Sequence, residues 1–349
     1  MTPRTSTDEI AIPHRPDVPG LRFRRWRGID DLAGMAASNQ RARDQAGVEE
    51  VADVEAMTQT YTHLAHSDLA LDLVVVERGG STIGYVRVDW NDLTNGERQF
   101  FSFCVLDPAE RGQGIGQAML SWSEDRLAQI VAEVSDDRPG QLAAFTFDKD
   151  VAGRVLLERN GWNEVARGYE MVRPTLDDIP EVLLPAGLVV RDVDETERRT
   201  IWEAAREAFC DHRDEWEWTE QDWTRFPGDA PDVSLWTIAF DGDEVAGGIW
   251  GKIEADEQAR HGRARGAIAG VWTGARWRRR GLATALIARS LVRLRERGMT
   301  SAKLGVDGGN PNQAMDLYTA LGFEAVSSTI DWRKPLQSGR FHPPSRSGE

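Results

Sequence analysis

Two short stretches rich in arginine and glycine are the first candidates for chemistry: Arg111-Gly112-Gln113-Gly114-Ile115-Gly116 and Arg278-Arg279-Arg280-Gly281-Leu282-Ala283-Thr284. Each lies between an apolar, β-prone run and a helical pattern. A glycine-rich turn at such a junction points several backbone N–H groups the same way, and the helix dipole adds about half a positive charge. That arrangement holds a pyrophosphate. Glycine serves where the main chain must approach an anion with no Cβ between them. The dinucleotide fingerprint is excluded, because its third glycine would fall at Gln117, and no Gly-Lys-Ser/Thr follows to make a P-loop.

The elements that must position these loops occur twice. The loops are offset by 167 residues (278 against 111). Residues 100–106 and 267–273 read as the preceding strands, and each loop runs into a helical apolar pattern: Ala118, Leu120, Trp122 and Leu127, then Leu286, Ile287, Leu291 and Leu294. Further strands are expected at 142–147 and 302–306, each followed by a short helix stopped by a left-handed glycine, Gly161 or Gly322. Upstream, strands are expected at 73–77, 82–89, 235–240 and 244–253, with Gly79-Gly80 and Asp241-Gly242 as hairpin turns. The fold class is therefore α/β (α+β): two tandem domains, each a mixed, mostly antiparallel sheet flanked by helices. Expected divisions are a leader over 1–20, domains over 21–173 and 187–336, a linker over 174–186 and a tail over 337–349.

Composition narrows the function. The chain has 349 residues, enough for two cores, with 40% hydrophobic and 28% charged residues, as in ordinary globular proteins. Acidic residues number 57 against 42 basic, a formal charge of −15, which disfavours nucleic acid and favours a cationic small molecule. The longest apolar runs are interrupted or bounded by charge, so no membrane span is expected, and the acidic, proline-bearing N-terminus argues for a cytoplasmic location. Cys104 and Cys210 are expected as buried free thiols. His63 and His66 lack a third ligand, and no metal is expected.

With these loops the chain resembles the GNAT superfamily of N-acetyltransferases. The match rests on Arg111-x-x-Gly114-x-Gly116, on Arg278-x-x-Gly281-x-Ala283, and on Asn310-Pro311-Asn312-Gln313-Ala314-Met315-Asp316-Leu317-Tyr318-Thr319-Ala320-Leu321-Gly322-Phe323. The resemblance implies acetyl-CoA as donor, held by residues 111–116 and 278–284. It also implies main-chain contacts from Leu106, Val271 and Thr273, a contribution from Asn310, and direct transfer to an amine. Tyr318 matches the tyrosine that protonates the departing thiolate. Four residues before Gly161 stands Leu157, so the first copy lacks the phenol and is expected to be degenerate in catalysis. Glu254, after the third strand of the second copy, is the expected base, with His212 as rival. Asp211, His212 and Trp216 lie where the acceptor should enter. Residues 201–236 interleave five tryptophans with acids, which suits an amine. The alternative is a non-catalytic acyl-CoA-binding protein. A monomer or homodimer acting on a small molecule is expected.

Overall fold

Leu73, Val74, Val75 and Val76 form an unbroken apolar run, and all four are fully buried, as a strand covered on both faces requires. Leu73 and Val75 face one core with Leu32, Met35, Ala42 and Tyr61. Val74 and Val76 face the other with Ile115, Met119 and Leu127. The computed structural model describes residues 8–12, 14–134, 136, 138–210, 215–225, 232–253, 255–308 and 314–336. None of the described helices is long and apolar enough to cross a membrane.

The first repeat runs β1 (Leu21–Arg25), α1 (Leu32–Ala46), α2 (Val54–Thr62), α3 (Leu69–Asp72), β2 (Leu73–Arg78), β3 (Ser81–Asp92), β4 (Arg98–Leu106), α4 (Ile115–Glu133), β5 (Gly140–Phe147), α5 (Val151–Arg159) and β6 (Asn163–Arg173). The second runs β7 (Val189–Arg191), α6 (Arg198–Phe209), α7 (Glu220–Arg225), β8 (Thr237–Asp241), β9 (Glu244–Ile253), α8 (Ala255–His261), β10 (Arg265–Thr273), α9 (Leu282–Glu296), β11 (Ser301–Asp307), α10 (Ala314–Ala320) and β12 (Glu324–Pro335). The hairpins close where the glycines predict, pairing Arg78 with Ser81 and Asp241 with Glu244. Both short helices end on a left-handed glycine, Gly161 at φ 79° and Gly322 at φ 81°. In each, the next residue's N–H reaches back to the carbonyl five positions earlier, Trp162 to Leu157 at 3.1 Å and Phe323 to Tyr318 at 3.0 Å.

The domain division differs from the expected one. The chain forms two compact units, one from residues up to Val165 together with those from Thr329, the other from Ala166–Ser328. The first unit's sheet has the order β1-β2-β3-β4-β5-β12, the second β6-β11-β10-β9-β8-β7. Each repeat's last strand thus completes the sheet of the other: β12 pairs antiparallel with β5 over residues 329–335, and β6 with β11 over 168–173. Ile330 and Trp332 belong to the first core, Met171 to the second. Leu176, inside the expected linker, is 1% exposed and its N–H donates to the Thr300 carbonyl at 2.9 Å, so this stretch packs on the second unit. Nothing in the local pattern of β6 or β12 states which edge it will join.

Trp332 is 1% exposed and its indole donates to Thr146 Oγ1 at 2.9 Å. Trp332→Ala should cost about 3–5 kcal/mol. Hydrogen exchange should show lost protection in α4 and β5, with α9 and β10 intact; loss confined to α9 would contradict the exchange.

Candidate active site

Both loops adopt one backbone shape despite different side chains. Gly112 and its counterpart Arg279 have φ 77° and 61°, and Gly114 and Gly281 have φ 84° and 81°. The helices α4 and α9 start directly after the second of these, and neither first turn has a side-chain cap. Three other helices are capped: Asp53, Asp68 and Asp150 accept from the first-turn amides of α2, α3 and α5, whereas α1 and α6 continue from short 3-10 turns without a cap of their own. The donors left open at α4 and α9 are the ones an anion would meet. A Cβ on Gly116 would stand 3.3 Å from Leu156 Cδ2, so its lack of a side chain also lets α4 approach α5.

The arginines divide into two groups. Arg111 reaches the Leu106 carbonyl at 3.5 Å and pairs with Asp150 at 2.8 Å; Arg278 donates to the equivalent Thr273 carbonyl at 3.0 Å and to Ala208 at 2.9 Å. These side chains staple loop to strand. Arg279 and Arg280 are exposed and make no hydrogen bond or ion pair among the described residues, which leaves them available to phosphate. The side chains of Ile115 and Leu282 are buried in the cores, so only their main chain can face a ligand. Gln113 donates to Glu110 at 3.2 Å.

In each unit the strand before the loop pairs with its parallel neighbour over four residues only. Arg98–Phe101 lie against Gly140–Ala143, and Arg265–Ile268 against Ser301–Leu304. Beyond those pairs β4 stays with β3 and β10 with β9, while β5 follows β12 and β11 follows β6. The parallel neighbours therefore part. In the first unit the gap opens into a cavity of about 880 Å³, lined by Ser102–Leu106, the loop, Ala144–Phe147, α1 and α5. Cys104 faces this cavity: contrary to expectation its sulfur is accessible, yet it is walled off from bulk water, and that desolvation pushes the thiol up to about 12. Cys210 is exposed too. In the second unit, Leu106 is matched by Thr273, whose hydroxyl is buried without a hydrogen-bond partner among the described residues, and Val271 is half-buried beside it.

Tyr318, on α10, is 7% exposed and packs edge-on to Phe323 at 6.1 Å. Burial alone pushes its phenol up to about 12, and its hydroxyl has no hydrogen-bond partner among the described residues. Leu157 fills the corresponding place in the first unit, 6% exposed. Glu254, Asp211, His212 and Asn310 lie outside the described residues. Trp216 is 53% exposed. His66 stacks on Trp90 at 3.7 Å while His63 caps the end of α2, and among the described residues no group of three or more His, Cys, Asp or Glu side chains gathers to hold a metal. Glu215 was legible only as one acid among many; the structure sets it against Trp218, whose indole donates to it at 2.6 Å, and burial raises its carboxyl above the usual range.

Anion-ready helix starts behind parted parallel strands, found twice, define an acyl-CoA-handling fold. The chain belongs to the acetyltransferase (GNAT) family, whose model matches residues 32–146 and 198–323. It is an N-acetyltransferase, and acetyl-CoA is its donor. Among its relatives is the mycothiol acetyltransferase of Frankia alni, 28% identical over 320 residues that cover 87% of this chain and 91% of that protein. The mycothiol acetyltransferase of a Parafrankia species is 26% identical over 284 residues, 76% of this chain and 83% of that one. A GCN5-related N-acetyltransferase from Sphaerobacter thermophilus has the same fold, with a TM-score of 0.71, 22% identity and coverage of 93% of this chain and 98% of that one. So does a tandem GNAT protein from the clavulanic acid biosynthesis pathway, with a TM-score of 0.61, 16% identity and coverage of 90% and 98%.

The left-handed glycines set a stability test. Gly281→Ala puts a Cβ into open space at φ 81°, so it should cost only the backbone strain, about 1–2 kcal/mol. Gly114→Ala adds a contact 3.3 Å from Pro16 Cβ and should cost somewhat more. Thermal unfolding of both variants checks the order.

Proposed function

We propose that the second unit transfers the acetyl group to a primary amine of a small, cationic molecule, and that the first unit holds acetyl-CoA without turning it over. The observation that carries this reading is the difference between Tyr318 and Leu157 at matching places behind matching loops. When bound, acetyl-CoA supplies a thioester carbonyl to the amine and a thiolate as leaving group. The open amides at the start of α9, with Arg279 and Arg280, hold the diphosphate. The main chain of β10 near Val271 and Thr273 aligns the arm where β11 has left it unpaired, and backbone N–H there polarises the carbonyl oxygen. Tyr318 keeps its proton at neutral pH because burial disfavours the phenolate, and it donates that proton to sulfur. Glu254 takes the proton from the amine. In the first unit the amides of Gly112–Gly116 and the cavity along Ser102–Leu106 support donor binding, and Leu157 explains the lack of turnover.

The relatives are named for mycothiol acetylation, which makes a mycothiol-type amine a second acceptor to assay alongside polyamines, aminoglycosides, amino acids and arylamines.

Tyr318→Phe should lower kcat about 100-fold with the acetyl-CoA KM unchanged. Unchanged kcat would remove the acid role. An unfolded-chain phenol titrates near 10 and the folded one at about 12, so the folded state binds the extra proton between those values and loses stability as pH rises through them. The variant should lack that alkaline loss in pH-dependent unfolding. Among base candidates, Glu254→Gln should abolish the acidic limb of the pH–rate profile and His212→Ala should not; the reverse result assigns the base to His212.

A further inference from the structure

The two units share a backbone at the parted strands and differ in what those strands carry. Counting on from the last parallel pairs, Phe101 with Ala143 and Ile268 with Leu304, Phe103 corresponds to Gly270, Phe145 to Val306 and Phe147 to Gly308. In the second unit neighbouring strands close the room beside those glycines: a Cβ on Gly270 would lie 2.7 Å from Trp250 Cε3, and one on Gly308 would lie 2.6 Å from Tyr169 Cε2. In the first unit the three phenylalanines line the cavity of about 880 Å³, and all three are partly exposed. Their rings form a row, Phe103 to Phe145 at 5.5 Å and Phe145 to Phe147 at 6.0 Å. Phe103 is backed by buried Tyr85 at 5.8 Å and Phe145 by Phe101 at 6.2 Å, so the wall stands ready before anything binds.

The rest of the lining has two characters. Ser102 and Thr146 stand on the same two strands, but Ser102 donates to Ser123 at 2.8 Å and Thr146 accepts from the Trp332 indole at 2.9 Å. Neither hydroxyl needs a partner from a ligand. Desolvation raises the Cys104 thiol between them, and Leu157 adds apolar surface where the second unit has the Tyr318 phenol. Lys149 and Arg159, by contrast, line the same cavity, are exposed, and make no hydrogen bond or ion pair among the described residues. Cations and open loop amides thus meet an anionic group, and the strand walls are left for something apolar.

We propose that the cleft of the first unit selects CoA thioesters whose acyl group is apolar and larger than acetyl. The proposal rests on the reading that this unit binds a CoA thioester without turning it over, and adds the acyl class. Acetyl-CoA enters the same cleft, but its single methyl leaves most of the wall uncovered. A longer chain lies along Phe103, Phe145 and Phe147, and each methylene it buries is worth about fourfold in affinity. In the second unit Trp250 and Tyr169 occupy the corresponding room, so that site gains nothing from a longer chain.

Hydrogen exchange of the full chain reads the two units separately. Titration with acetyl-, butanoyl- and hexanoyl-CoA should protect residues 102–106 and 144–147 most tightly with hexanoyl-CoA, by about tenfold or more over acetyl-CoA, and with butanoyl-CoA between them. Residues 267–273 should show no such gain. Free hexanoate, which lacks the diphosphate, should protect neither unit. Phe145→Val, which installs the residue of the second unit, should reduce the hexanoyl preference to about threefold or less while acetyl-CoA still protects residues 102–106. The wild-type series decides the question should that variant unfold. Equal affinity for the three thioesters at residues 102–106 overturns the acyl preference and leaves the function proposed above standing. Protection of those residues by none of them overturns both. A hexanoyl preference that Phe145→Val leaves intact, or protection that hexanoate alone reproduces, overturns the proposal.

Discussion

A parallel strand pair that stops after four residues is the constraint on which this protein's chemistry depends. Parallel strands normally continue because each unpaired N–H and C=O in a buried setting costs free energy. Here β4 and β10 remain bonded on one side to antiparallel neighbours, while β5 and β11 are drawn off by β12 and β6. The freed main-chain edge has the right polarity for an extended amide-bearing arm. The helix that follows each loop presents uncapped amides, the donors an anion would meet, next to the parted strands.

The strands that enforce the divergence are the exchanged ones. β12 fills the first unit's core with Ile330 and Trp332, and β6 contributes Met171 to the second's, so each sheet is completed by chain encoded in the other repeat. In the first unit the loop and the cavity are both present, and Leu157 stands where the second unit has Tyr318.

Positive charge is local in this acidic chain: exposed Arg279 and Arg280 stand beside the α9 amides, while Arg276 is engaged by Glu244 at 2.6 Å. Such a cluster can meet an anion even where the formal charge of the whole chain is −15.

Much of this was legible in the residues. The repeat, the strand-loop-helix order, the hairpin turns and the two left-handed helix stops follow from short-range rules, because glycine conformations and apolar periods are properties of a few consecutive residues. Tyr318 and Leu157 could be compared by counting from those stops. Other features could not be read so locally. That Arg111 and Arg278 hold the strand-end carbonyls of Leu106 and Thr273 is not visible in their spacing, and Cys104 looks like a core thiol until a cavity opens beside it. Glu215 is one of many acids in its stretch, and its partial burial against the Trp218 indole does not show in the order of residues. The exchange of β6 and β12 depends on which sheet edge each strand meets, which no short window of residues contains. Sequence alone thus determined the elements and the chemistry they carry, through interactions within one turn or one hairpin; tertiary structure alone decided partners and exposure, because desolvation and strand pairing sum over residues that no local window contains.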